Sequence, residues 1–378
     1  MRIIINTATL RFGGAVQGAM SFIMECRYYT KHEYHVFLGI GVSKSIDPTD
    51  FPANFHFYYF EYGPVTLFLI PKIDFQLSRI EKKIKPDCVI TSSGPSYWHS
   101  QAQHLMGFNL GLYIYSESPY HKLKSNREKL RFNIKRRIHF WFFRRDASAF
   151  FVQTDDVNSR VQEAFATHKV YTISNTHNGF FNIWSRSKYL LPPKTDEEIR
   201  VLTVSAYYKH KNLEIIPLVS LELQKRGYNN VKFIVTLDHK SYESITGGRK
   251  SESIINAGIV QPEECPELYD ECDIVFLPTL AECFSASYPE AMVMKRPIVT
   301  TDLSFAHDIC GDAALYFYPL DSVSAADAVE KLLTNKELWN KLVINGSERL
   351  NKFNNATERA QKLLMLCEDI ASINGVEN

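Results

Sequence analysis

Short apolar runs that end in polar turns recur along the chain, and between them lie longer stretches whose apolar residues return at helical spacing. Residues 2–6, 34–38, 55–60, 88–91, 111–115 and 149–153 read as strands, and about 15–29 as a helix after the first of them. A linker-like segment, Leu190-Leu-Pro-Pro-Lys-Thr-Asp196, precedes a second series of strands at 201–204, 232–236, 274–277 and 298–300. Helices are predicted over 321–335, 336–350 and about 357–370. Alternation of this kind predicts an α/β chain with mostly parallel sheets. At 378 residues the chain exceeds what one core sustains, so two domains are expected, 1–195 and 196–355.

Composition adds a compartment. Hydrophobic residues make up 45% of the chain, enough for two buried sheets. The seven cysteines are scattered and form no Cys-x-x-Cys pair, which argues against a disulfide framework or a cysteine zinc site and for a reducing compartment. The apolar start, 2–6, is too short for a signal peptide, and no run reaches membrane-spanning length. A cytoplasmic protein is expected. Asn345-Gly-Ser347 fits a glycosylation sequon, but without secretion it reads as chance.

Charge adds a partner. The chain carries only +1 overall, yet 122–145 holds ten basic residues against Glu128 alone, interleaved with Phe132, Ile134, Ile138 and the run Phe140-Trp-Phe-Phe143. Basic and aromatic residues mixed in a helix suit an anionic membrane surface. A solvated helix with its aromatics in the core is the alternative, and nucleic acid is a rival that we set aside.

The chemistry concentrates further on. Asp273-Ile-Val-Phe-Leu-Pro278 reads as a strand stopped by proline, and Pro289-Glu290-Ala-Met as a helix opening. The loop between them holds Glu282 eight positions before Glu290, at the carboxyl end of a parallel strand, where open α/β sheets bind ligands. One carboxylate can hold sugar hydroxyls and the other a ribose, while the helix start near Ser287 favours a diphosphate.

This segment resembles the Glu-x7-Glu signature of retaining nucleotide-sugar glycosyltransferases of family 4. Its flanks agree with that family in order: Phe151-Val-Gln-Thr154, Ser174-Asn-Thr-His-Asn-Gly179, and Val201 through Asn212. The resemblance implies a GT-B fold, two Rossmann-like domains facing across a cleft, with a last helix of about 356–378 returning to the first. It implies glycosyl transfer from a UDP- or GDP-sugar to a glycan or lipid-linked acceptor, with retention and no metal or other cofactor. The setting expected is bacterial surface polysaccharide assembly, on the inner face of the cell membrane.

Site residues follow from the same likeness. Glu282 meets the donor sugar, Glu290 the ribose, and Lys211 the diphosphate leaving group, whose growing charge a fixed ammonium stabilises. The base packs near Ala257-Gly-Ile259-Val260. An arginine usual in the family is here Ala206, so Lys209 is a candidate second cation. Gly13 and Gly14 would approach the donor phosphates and the acceptor, although such glycines also serve as plain turns. The histidine expected to face the sugar is replaced within Tyr115–His121, where Glu117, Ser118 or His121 can take its place. Ser93-Gly-Pro-Ser96 reads as a tight turn, while His177 and Asn178 divide evenly between structural and cleft roles. A nucleotide-sugar epimerase and a non-catalytic scaffold of a membrane glycan assembly are the alternatives, the latter favoured by the missing arginine and histidine.

Overall fold

The computed structural model describes residues 1–248 and 251–373. The chain forms two compact units: one contains 1–114, 125–175 and the chain from 354 onward, and the other contains 115–124 and 176–353. The last residues of the predicted closing helix, 374–378, lie outside the described residues.

The first unit is a seven-stranded sheet built from β1 (Arg2–Asn6), β2 (Glu33–Gly39), β3 (Phe55–Phe60), β4 (Cys88–Thr91), β5 (Gln103–Gly107), β6 (Ala149–Val152) and β7 (Val170–Thr172). Its order is β3-β2-β1-β4-β5-β6-β7, with every pairing parallel. Successive residues Ile3, Ile4 and Ile5 are all fully buried, so both faces of the sheet are covered. The helix Gly14–Cys26 covers one face together with Ala356–Ile373, whose Ala360, Leu363, Leu364 and Cys367 enter the same core as Ile3 and Ile5.

The second unit holds β8 (Ile199–Thr203), β9 (Val231–Val235), β10 (Ile254–Asn256), β11 (Ile274–Leu277), β12 (Ile298–Thr301) and β13 (Ala314–Phe317) in the order β10-β9-β8-β11-β12-β13, again all parallel. Strand order therefore reverses between β1 and β4 in one sheet and between β8 and β11 in the other. In doubly wound sheets a crevice opens at such a point.

Three expectations change. The strand predicted over 111–115 is a turn of 3-10 helix, Gly111–Tyr113, and the strand lies earlier, at Gln103–Gly107. Polar His104 sits inside that strand because Thr91 Oγ1 meets its Nε2 at 2.7 Å, while the Tyr113 ring packs on Phe132, His139 and Phe140. Second, the units divide near 175, not near 195. Segment 176–191 bonds to the second unit: Ser187 Oγ and the Leu190 amide donate to Glu267 and Glu271 at 2.7 Å each.

The third concerns the basic segment. Its helix, Asn126–Asp146, starts from a capping box in which the Ser125 hydroxyl accepts from the Glu128 amide and the Glu128 carboxylate accepts from the Ser125 amide. Phe140, Phe142 and Phe143 are buried, with Phe143 against Phe108, Phe150 and Phe165. Three of the four aromatics of the run 140–143 are thus core. Leu130, Ile134 and Trp141 remain more than half exposed or nearly so, at 62%, 50% and 55%. Among the described residues, no helix is long and apolar enough to cross a membrane.

Candidate functional site

The site is built where β8 and β11 end. The β8 strand runs into a loop closed by the 3-10 turn Lys209–Lys211, and Asn212 follows in the left-handed region at φ 54°. The loop after β11 is stitched to it: the Leu280 amide donates to the His210 carbonyl at 2.7 Å, and Thr279 Oγ1 lies 3.3 Å from the same carbonyl. This stitching fixes two side chains of opposite charge. The Lys211 ammonium forms an ion pair with Glu282 Oε1, and Thr279 Oγ1 lies 3.3 Å from that oxygen. A small recess opens beside them, lined by Thr203, Ser205, Thr279, Ser285, Ser287 and Tyr288 among others, with Lys211 as its charged side chain.

Glu290 sits in the helix Ser287–Val293 and accepts a hydrogen bond from the buried Tyr269 hydroxyl at 2.8 Å. Part of its surface stays accessible, but the carboxyl itself is enclosed, and burial pushes its pKa up to about 7 against the opposing effect of Tyr269. Glu290 is therefore poised to change charge near neutrality. At the far side of the sheet, Asn256 donates to the Leu237 carbonyl and accepts from the Leu237 and Gly258 amides, shaping the turn that presents exposed Ile259 and half-buried Val260.

The segment 115–124 belongs to this unit rather than to the first. Ser118 Oγ donates to the Leu280 carbonyl at 2.7 Å, which puts this segment beside the Glu282 loop. His121 Nε2 donates to the Tyr115 carbonyl at 3.1 Å and Nδ1 accepts from Lys124 Nζ at 3.3 Å, so both ring nitrogens are used within the segment. Glu117 is exposed on it. The side chain that the segment does bring to the site is Tyr120, edge-on to the His210 ring at 6.2 Å.

His210 went unassigned in the sequence. Its ring stacks on Tyr208 at 5.7 Å, and its Nε2 is 3.9 Å from Glu282 Oε1. Burial lowers its pKa, with Glu282 opposing and Lys211 adding to the shift. A histidine next to the lysine of this loop was the available signal. Lys209 and Ala206 are exposed on the same loop. His177 lies elsewhere in the unit, its Nε2 2.9 Å from Asn182 Oδ1.

In the first unit, the loop after β1 presents Gly13 and Gly14. Gly13 adopts φ 83°, ψ −170°, a conformation open essentially to glycine alone, while a Cβ on Gly14 would meet nothing within 4 Å. The strand ends beneath are occupied by one another: Asn6 Nδ2 donates to Thr91 Oγ1 at 3.0 Å, and Thr91 bonds buried His104, whose pKa burial drives down to about 3.

Residues 198–335 match the family described as glycosyl transferases group 1. Over 158 residues the chain is 26% identical to alpha-D-kanosaminyltransferase of Streptomyces kanamyceticus, a match covering 40% of this chain and 41% of that protein. The chain thus spans about two fifths of the length of that curated relative. Among solved structures, sucrose-phosphate synthase of Thermosynechococcus elongatus aligns at TM-score 0.72 and 13% identity over 98% of this chain and 99% of the other. The HepE protein of Anabaena, in complex with UDP and glucose, aligns at 0.69 and 13% over 98% and 100%. Likeness at such identities is likeness of fold: two Rossmann-like units of the GT-B type.

Proposed function

We propose that the protein is a retaining glycosyltransferase that moves a sugar from a nucleotide-sugar donor to a glycan or lipid-linked acceptor without a metal ion. The observation that carries this reading is the Lys211–Glu282 pair, held by stitched loops at the point where strand order reverses between β8 and β11. Before the donor arrives, each charge neutralises the other. With the donor bound, Glu282 accepts hydrogen bonds from sugar hydroxyls and Lys211 turns to the diphosphate, where negative charge grows as the anomeric bond breaks. Glu290 accepts from the ribose hydroxyls, and the base lies by Ile259 and Val260. The recess at Ser285 and Ser287 takes the phosphates, with exposed Lys209 as a second cation in place of the arginine absent at Ala206.

Retention follows if the departing phosphate oxygen also deprotonates the acceptor on the same face of the sugar. His210, 3.9 Å from Glu282, then lines the donor side rather than acting on the acceptor. Glu117 and His121, on the segment beside the Glu282 loop, border the entry of the acceptor.

The helix Asn126–Asp146 would hold the enzyme at an anionic membrane on the cytoplasmic side. At helical spacing Leu130, Ile134 and Trp141 fall on one exposed side with Arg127 and Arg137 flanking them. With each such basic residue worth about 1 kcal/mol near anionic lipid, exchanging Arg127, Arg131 and Arg137 for glutamine should release the protein from anionic vesicles. Arg136 and Arg145 are poorer choices, because they bond the Tyr113 carbonyl and Asp146.

The test is to incubate the protein with UDP- and GDP-sugars and glycan or lipid-linked acceptors in EDTA, following nucleotide release and the anomeric coupling of the product by NMR. Acceptor-dependent release with retained configuration is expected. Inverted product, or turnover that needs added manganese or magnesium, would overturn the mechanism; conversion of the donor to its epimer without acceptor would favour the epimerase.

A further inference from the structure

A second cluster of ligating side chains lies on the opposite edge of the first sheet, outside everything the transfer reaction uses. Strands β2 and β3 pair in parallel with His35 directly opposite His56. Side chains alternate between faces along a strand, so Glu33 joins His35, and Tyr58 joins His56, on that same face. The two imidazoles stack with centroids 4.8 Å apart, the spacing of neighbouring strands. Glu33 Oε1 is 3.2 Å from His35 Nε2 and 3.2 Å from His56 Nε2.

The arrangement is incomplete as it stands. His35 is buried, and its Nδ1 is held by the Tyr58 hydroxyl at 3.1 Å, but its Nε2 makes no hydrogen bond even though the Glu33 carboxylate is so near. A buried ring nitrogen without a well-aligned partner is costly.

We propose that Glu33, His35 and His56 bind a divalent transition-metal ion of the zinc class, through Oε1 and the two Nε2 atoms. Tetrahedral ligands at ~2.1 Å from zinc stand ~3.4 Å from one another, close to the two 3.2 Å separations seen here. All three ligand atoms lie within 4.8 Å of each other, and the half-exposed His56 ring can turn to close the remaining pair. Two imidazoles and one carboxylate suit zinc, nickel or copper and are poor ligands for magnesium or calcium. Tyr58 acts as the outer partner that fixes the His35 tautomer, as ligating histidines require. The recess bordered by Arg2, Glu33, Asn54 and His56 gives water and ion access for a fourth ligand. Arg2, opposite Glu33 in the register, opposes a cation, but its guanidinium is bonded to the Ile84 carbonyl at 2.6 Å. Because β3 is the edge strand, the ion would clip the edge of the sheet to its neighbour.

The full chain, stripped with EDTA and dialysed, is titrated with Co²⁺ and Zn²⁺. A visible d–d spectrum of tetrahedral Co²⁺, displaced by Zn²⁺ and absent with Mg²⁺, is expected, together with a rise in Tm on adding Zn²⁺. His56→Ala and Glu33→Gln, both at exposed side chains, should lose the spectrum and weaken Zn²⁺ at least tenfold, and Tyr58→Phe should weaken it about tenfold. Glycosyl transfer should be unchanged in all of them. Absence of a tetrahedral Co²⁺ spectrum in the wild type, or Zn²⁺ binding by His56→Ala and Glu33→Gln equal to wild type, overturns the site.

Discussion

The two sheets reverse their strand order at corresponding places, yet the loops above those places are filled in opposite ways. At the β1/β4 point the polar residues satisfy one another, Asn6 to Thr91 to His104, and the loop above offers glycine and open space. At the β8/β11 point the loops offer Lys211, Glu282 and His210, and Glu290 follows a turn later. One topology thus yields a site that makes room and a site that makes charge. The fold provides the place, and the side chains decide which half does chemistry.

Breaking the charged side should cost most. Glu282→Ala is expected to lower turnover a hundredfold or more, about 3 kcal/mol, because on the proposed function it removes the group that positions the reacting sugar. Near-normal turnover with an unaltered circular dichroism spectrum would take the chemistry away from β8/β11. Glu290 sharpens the contrast through pH. Its folded pKa, raised to about 7, favours the neutral acid, so the stability it contributes is fully present below its unfolded value of 4.5 and is lost as pH rises through 7.

A ribose donates to the anion, so nucleotide binding should release a proton, and affinity should fall by up to tenfold per pH unit below about 7. Calorimetry in buffers of different ionisation enthalpy measures this, and Glu290→Gln should abolish the dependence. Nucleotide affinity that is flat with pH in the wild type removes Glu290 from the donor site. The glycine side should show the smallest effect. Gly13→Ala is expected to cost about 1–2 kcal/mol of stability, while Gly14→Ala should be nearly silent. Equal denaturation midpoints for the two variants would mean that the conformation at Gly13 is not constrained.

Much of the charged site could be read from sequence, because strand, proline stop, loop and helix opening follow one another within 273–292 and need no distant partner. What escaped depends on partners far along the chain. Gln103–Gly107 carries polar Gln103 and His104, and its pairing with β4 and β6 and the Thr91–His104 contact became visible only in the fold. Val170–Thr172 and Ile254–Asn256, three residues each, are too short to stand out from loops. Two histidines 21 positions apart meet only through the register of β2 and β3. The aromatics of 140–143 could be sorted into core only once Phe108 and Phe165 were known to face them.

The course of the chain also sets a schedule for its own synthesis. The core of the first unit takes Ala360, Leu363, Leu364 and Cys367 from the helix Ala356–Ile373, so a nascent chain that has emerged as far as residue 353 can bury the second unit's core but still lacks a helix of the first. Segment 115–124 waits in the other direction, made early and docked only when Leu280 has been added. The half translated first is therefore the half completed last, and during that interval one face of its sheet is left without the helix that covers it.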